Sequence, residues 1–197
     1  MKLKAVTLAL LGASLATSPA FAHLDPVAHG SFAAGATHPL FGADHVLAMV
    51  AVGLWAAMLG GRAIWAVPAT FVGVMALGFL ASALGLPLPF VEPAILASVV
   101  GLGLLVALAI PVPVGAGMAI VGFFALFHGH AHGSEIGEAG AIAYAAGFAV
   151  ATVLLHAVGV AAGMGFGKLF ASNRGVIATR VAGALTALSG VYLMAAG

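Results

Sequence analysis

The run HPLFGADH, residues 38–45, puts two imidazoles and a carboxylate at the head of an apolar stretch. His38, Asp44 and His45 are all side chains that ligate metal ions. A second run, FHGHAHGSE at 127–135, adds His128, His130, His132 and Glu135. His156 stands apart in VLLHAVG. There is no cysteine, so thiolate ligands and disulfides are both excluded. Neutral imidazole with carboxylate suits Zn, Ni, Co and Fe ions. Cu(I) is disfavoured without thiolates, and Mg(II) prefers oxygen donors and keeps its water.

These polar groups sit in an apolar chain. Of its 197 residues, 63% are hydrophobic and only 6% charged, against about 25% charged in a soluble domain. The composition is that of an integral membrane protein. A net charge of +1 and six scattered Lys and Arg offer no basic run for nucleic acid. An Asp near a span costs about 2.5–3.5 kcal/mol even on the lenient insertion scale. Capping a neighbouring helix or pairing with a His would be a purely structural use of Asp44. Neutralising a dehydrated cation is the stronger reason to keep it there.

The elements that must position these groups can be counted. Residues 1–22, MKLKAVTLALLGASLATSPAFA, have a basic start, a short apolar run, a proline and a small-x-small ending. They read as a secretory signal peptide cut after Ala22, the alternative being an uncleaved anchor. A single unit, 23–197, follows. About 20 apolar residues cross a bilayer, and the spans expected are 39–59, 63–84, 94–111, 114–131, 141–163 and 176–196. The third and fourth, joined by a short proline turn, should form an antiparallel hairpin. The fold class is all-α: a polytopic membrane protein with a compact six-helix bundle. With residue 23 outside, Arg62, Lys168, Arg174 and Arg180 all fall inside, as the positive-inside rule asks. Asp25, Glu92, Glu135 and Glu138 fall outside. Gly159, Gly163 and Gly167 recur at four-residue spacing, which suits close helix packing in lipid.

This span count brings the two His runs to the same side of the membrane. His38 precedes Pro39, which suits the first helical position, so the first span should begin there. His45, two turns on, would share a face with His38 about 10 Å deeper, with Asp44 about 100° away. Joint coordination by all three needs a tilted or broken first turn, and Gly42 makes that easier. Met49 lies one turn beyond His45. His128 and His132 are one turn apart at the outer end of the fourth span, with Glu135 nearby. His156 lies about 22 Å into the fifth span. It has two readings: a hydrogen bond to a neighbouring helix, or a station on an ion path. The HGHAH run could instead be a solvated, metal-scavenging loop. His23, Asp25 and His29 read as incidental, Glu92 as a solvated loop charge, and Phe123, Phe124 and Phe127 as packing residues.

His38-Pro39, Gly42, Asp44-His45 and Met49 resemble the first-helix signature of the HupE/UreJ family, the nickel permeases associated with hydrogenase and urease. Phe127-His128-Gly129 with Ala131-His132-Gly133 and Glu135 resembles the second signature, and the likeness spans the whole chain. The resemblance implies import of Ni(II), sometimes Co(II), across the bacterial inner membrane, with a functional link to hydrogenase or urease maturation. It implies metal-binding roles for His38, Asp44, His45, His128, His132 and Glu135, with His130 at a more variable place. No prosthetic group is expected, and the ion is cargo. With no nucleotide-binding motif, ATP hydrolysis is excluded. Two other readings stay open on the residues alone. One is an intramembrane zinc hydrolase, weakened by the lack of a deep acid–base residue. The other is a membrane subunit that binds metal without moving it.

Overall fold

The computed structural model describes residues 31–133, 140–169 and 173–196. The expected leader, His23, Asp25, His29, Glu135 and Glu138 lie outside the described residues. The described chain folds into helices: α1 (Phe32–Phe41), α2 (Ala43–Leu59), α3 (Ala63–Ala83), α4 (Val91–Ala107), α5 (Val114–Gly133), α6 (Ala141–Leu169) and α7 (Asn173–Ala196). Most are apolar on every face. Large side chains such as Trp65, Leu77, Leu154 and Leu188 point outward and exposed, as expected where lipid is the solvent.

Among the described residues, α3, α5, α6 and α7 are long and apolar enough to cross a membrane. The other two expected spans differ from the six straight ones read from hydropathy. The third, α4, has 17 residues, about 25 Å of helix and at the lower limit for a crossing. The first is broken: α1 and α2 meet at Gly42 with a bend of 85°. The helix does not begin at Pro39. Ser31 caps it by accepting a hydrogen bond from the Ala34 amide at 3.0 Å, and Pro39 lies inside α1. The chain breaks three residues later, where Gly42 is extended (φ −88°, ψ 110°).

That φ is open to any residue, so backbone freedom is not what requires glycine at 42. Space is. A Cβ at Gly42 would come within 2.9 Å of Asp44 Oδ1 and 3.0 Å of His45 Nδ1, closer than such atoms normally stand. The missing side chain makes room for the Asp44–His45 pair.

The helices pack as partners: α3 on α5, α4 on α7, α2 on α6, with α1 laid across the start of α6. The expected α4–α5 hairpin neighbours do touch, but each packs chiefly elsewhere. The α3–α5 contact depends on close backbone approach, since a Cβ on Gly129 would collide with the Met75 carbonyl. Of the expected glycine stripe, Gly159 and Gly163 face α2, whereas Gly167 has open space around it.

The bundle has two chemically distinct ends. Asp44 and His45 open α2, while Arg62 follows its last turn. At that same end Arg180 Nε donates to Ala107 O at 2.7 Å, where α4 finishes. The imidazoles other than His156 lie at the end where α2, α4 and α6 begin and α5 stops. Exposed Arg62 and Arg180 lie at the other.

Candidate metal-ion site

The break at Gly42 reorganises the first motif. On one straight helix His38 would stand about 10 Å above His45. With the chain turned, their ring centroids are 6.3 Å apart. α1 is held across α6 by close contact of Gly35 with Tyr144 and of Gly147 with Phe32. This brings the His38 ring to 4.4 Å from His132 on α5.

His45 is buried, and both of its ring nitrogens are engaged. Nδ1 lies 3.0 Å from Asp44 Oδ1. Nε2 lies 2.9 Å from His132 Nε2. An ionised carboxylate only accepts, so His45 Nδ1 carries the proton and donates to Asp44. In neutral His45, Nε2 then holds a lone pair, and His132 Nε2–H donates to it. Asp44 thereby fixes the tautomer that turns His45's lone pair toward α5, as a carboxylate behind a metal-bound histidine does. With neutral imidazoles, this end of the cluster carries one negative charge, that of Asp44. Its only ion-pair partner among the described residues is His45.

The backbones of α2 and α5 scarcely approach each other. Imidazoles span the gap: His45 meets His132 at 4.9 Å and His128 at 5.0 Å, centroid to centroid. Phe148 forms an apolar wall, 5.0 Å from His132 and 6.0 Å from His45. Beside His132 is a cavity of about 60 Å³ reaching Met75, Phe79 and Phe148. Among the described residues, no three His, Asp or Glu side chains yet stand as a metal cage. The cluster is closed by hydrogen bonds between its own members. With metal–nitrogen bonds of about 2.0–2.1 Å, two nitrogens on one ion stand roughly 2.9–3.4 Å apart, depending on the angle.

His128 is fully buried and makes a different contact. Ser98 Oγ donates its single proton to Ile95 O at 2.6 Å. Its lone pair must then accept from His128 Nε2–H, 2.9 Å away. That leaves the lone pair on His128 Nδ1, which has no hydrogen-bond partner among the described residues.

Two expected site residues lie apart from this group. His130, half a turn from its neighbours, donates from Nε2 to Leu86 O at 2.7 Å, tying the end of α5 to the loop after α3. His156 is buried at 2% exposure beside Phe71. The helix–helix hydrogen bond that was one reading of it is not made among the described residues, where neither ring nitrogen has a partner. Glu135 lies outside the described residues. Ser98, Phe71, Tyr144 and Phe148 escaped the sequence reading. Ser98 and Tyr144 left a faint trace there, as lone polar groups in apolar runs.

Against known proteins, the chain matches the family model described as HupE / UreJ protein over residues 9–193. It is 46% identical to Protein HupE of Rhizobium leguminosarum bv. viciae over 196 residues, covering 98% of this chain and 99% of that one. No solved structure gives a significant match.

Proposed function

The chain belongs to the HupE/UreJ family, and from that premise we propose that it imports Ni(II), with Co(II) as a second cargo, across the bacterial inner membrane. The imported ion supplies metalloenzyme maturation, of a hydrogenase or a urease. The leader over 1–22 is removed and the mature N-terminus faces the periplasm. Six crossings follow, the first broken at Gly42 and the third short. The polarity of the bundle supports this orientation, because Arg62 and Arg180 lie at the end away from the imidazoles.

The observation that carries the reading is the Asp44–His45–His132 relay of 3.0 and 2.9 Å, which joins the two His motifs across separate helices. A divalent ion arriving from outside takes the His45 lone pair, and His132 becomes a second ligand as its proton passes from Nε2 to the other nitrogen of its own ring. His38, 4.4 Å from His132, and Glu135 complete the ligand set as the ion sheds water, with Asp44 offsetting its charge. His130 is left out of the set, because its nitrogen is committed to Leu86. An inward potential of 100 mV favours a divalent cation by about 4.6 kcal/mol, twice the single-charge value. Passage therefore needs no ATP.

Proteoliposomes containing the purified chain test this by Ni(II) flux under an imposed potential. Asp44→Asn preserves size but removes the charge that fixes His45's tautomer. It should cut flux at least a hundredfold at equal protein levels. Flux equal to the unmodified chain's would refute the proposed site.

A further inference from the structure

Beneath the outer cluster, the described structure leaves three buried ring nitrogens without a partner: Nδ1 of His128 and both nitrogens of His156. Buried polar groups are nearly always satisfied, and an unsatisfied one costs about 1–3 kcal/mol. Three in adjacent parts of one bundle call for a use. His128 and His156 both pack on the Phe71 ring, with centroids at 5.5 and 5.0 Å. His128 also meets His45 at 5.0 Å. A chain of rings therefore runs His45, His128, Phe71, His156 from the outer cluster into the bundle. His156 lies deep: its carbonyl faces Gly53, two turns below His45 on α2, about 12 Å along the axis.

We propose that His128 and His156 form an inner station for a divalent transition-metal ion, separate from the outer cluster and lying along the Phe71 ring. The inference rests on the reading of the ion as cargo. Its chemistry is the opposite of the outer site's. No carboxylate hydrogen-bonds either imidazole in the described structure, and the charge of Asp44 reaches His128 only from a distance and His156 not at all. Few ligands and no anion in contact make a site that holds an ion weakly and releases it, as a transit position must. Transition metals that favour imidazole fit it, whereas Mg(II) and Ca(II), which need oxygen donors, do not. Ser98 is the positioning residue. By accepting from His128 Nε2–H it presents the Nδ1 lone pair, a role of the kind whose removal costs about 10–100-fold in metal affinity.

Equilibrium dialysis of the full chain in lipid nanodiscs against radiolabelled Ni(II) tests the station by stoichiometry, independently of flux. The unmodified chain should bind two ions. Asp44→Asn combined with His45→Ala should keep one, more weakly held. His156→Leu should lose that weaker ion and keep the outer one. His156→Gln, which preserves polarity, should do the same and stands in if the leucine variant does not remain monodisperse. Ser98→Ala should weaken the inner ion about tenfold and leave the outer affinity unchanged. A His156→Gln binding curve identical to the unmodified chain's would overturn the station, as would a doubly substituted outer site that binds no ion. Two bound ions without vesicle flux would sink the transport reading while leaving the station standing.

Discussion

The two ends of the imidazole column differ in how their nitrogens are satisfied. At the outer end His45 is saturated, with Asp44 on one nitrogen and His132 on the other. Deeper in, among the described residues, His156 has no hydrogen-bond partner and His128 has one, Ser98. The contrast teaches that burial alone does not decide what a membrane histidine does. Under the proposed function, a carboxylate-backed, hydrogen-bonded pair would select and dehydrate a cation, because charge and preset tautomer act together. A bare imidazole in an apolar wall would only pass an ion on. The outer group is built by an interruption of the backbone at Gly42. The inner one sits on unbroken helices, α5 and α6.

If the outer end owes its strength to the space made at Gly42, filling that space should blunt it. Gly42→Val should press on Asp44 and His45 and lower Ni(II) uptake by about tenfold or more at unchanged membrane levels. Overpacking of this kind typically costs about 1–3 kcal/mol. Uptake assays on whole cells, normalised by immunoblot, measure it. Unchanged uptake would mean that the pair does not set the rate. At the small end of the scale is His130, whose nitrogen serves Leu86. His130→Gln should change uptake less than twofold, with at most a modest drop in thermal stability. A loss as large as that from Asp44→Asn would move His130 into the ligand set and erase the distinction drawn between it and His132.

The meeting of the two His motifs was legible in the sequence. Span counting and the positions of Arg62 and Arg180 were enough to bring the 38–45 and 128–132 motifs to one end. Loop charge and apolar run length are properties that sequence displays directly. The break at Gly42 was foreseen only as an easing of the first turn. Pro39 suggested a helix start, yet Ser31 caps the helix a full two turns earlier. Local capping chemistry outweighed the proline signal. Ser98, Phe71 and Phe148 were not legible, because helices apolar on every face give no periodicity to show which side meets a partner. Likewise the sequence showed Gly129 as part of a His-rich motif, without revealing that its lack of a side chain lets α5 lie against α3.

The meeting of α2 and α5 around one ion is tested most directly by a double-mutant cycle of His45→Ala and His132→Ala, read by Ni(II) affinity at the tighter site in nanodiscs. Residues that ligate the same ion are strongly non-additive. Each single substitution should weaken binding by about a hundredfold or more, and the double substitution little beyond either one. Independent, multiplying losses, or retention of full affinity in either single variant, would show that the two imidazoles do not share an ion.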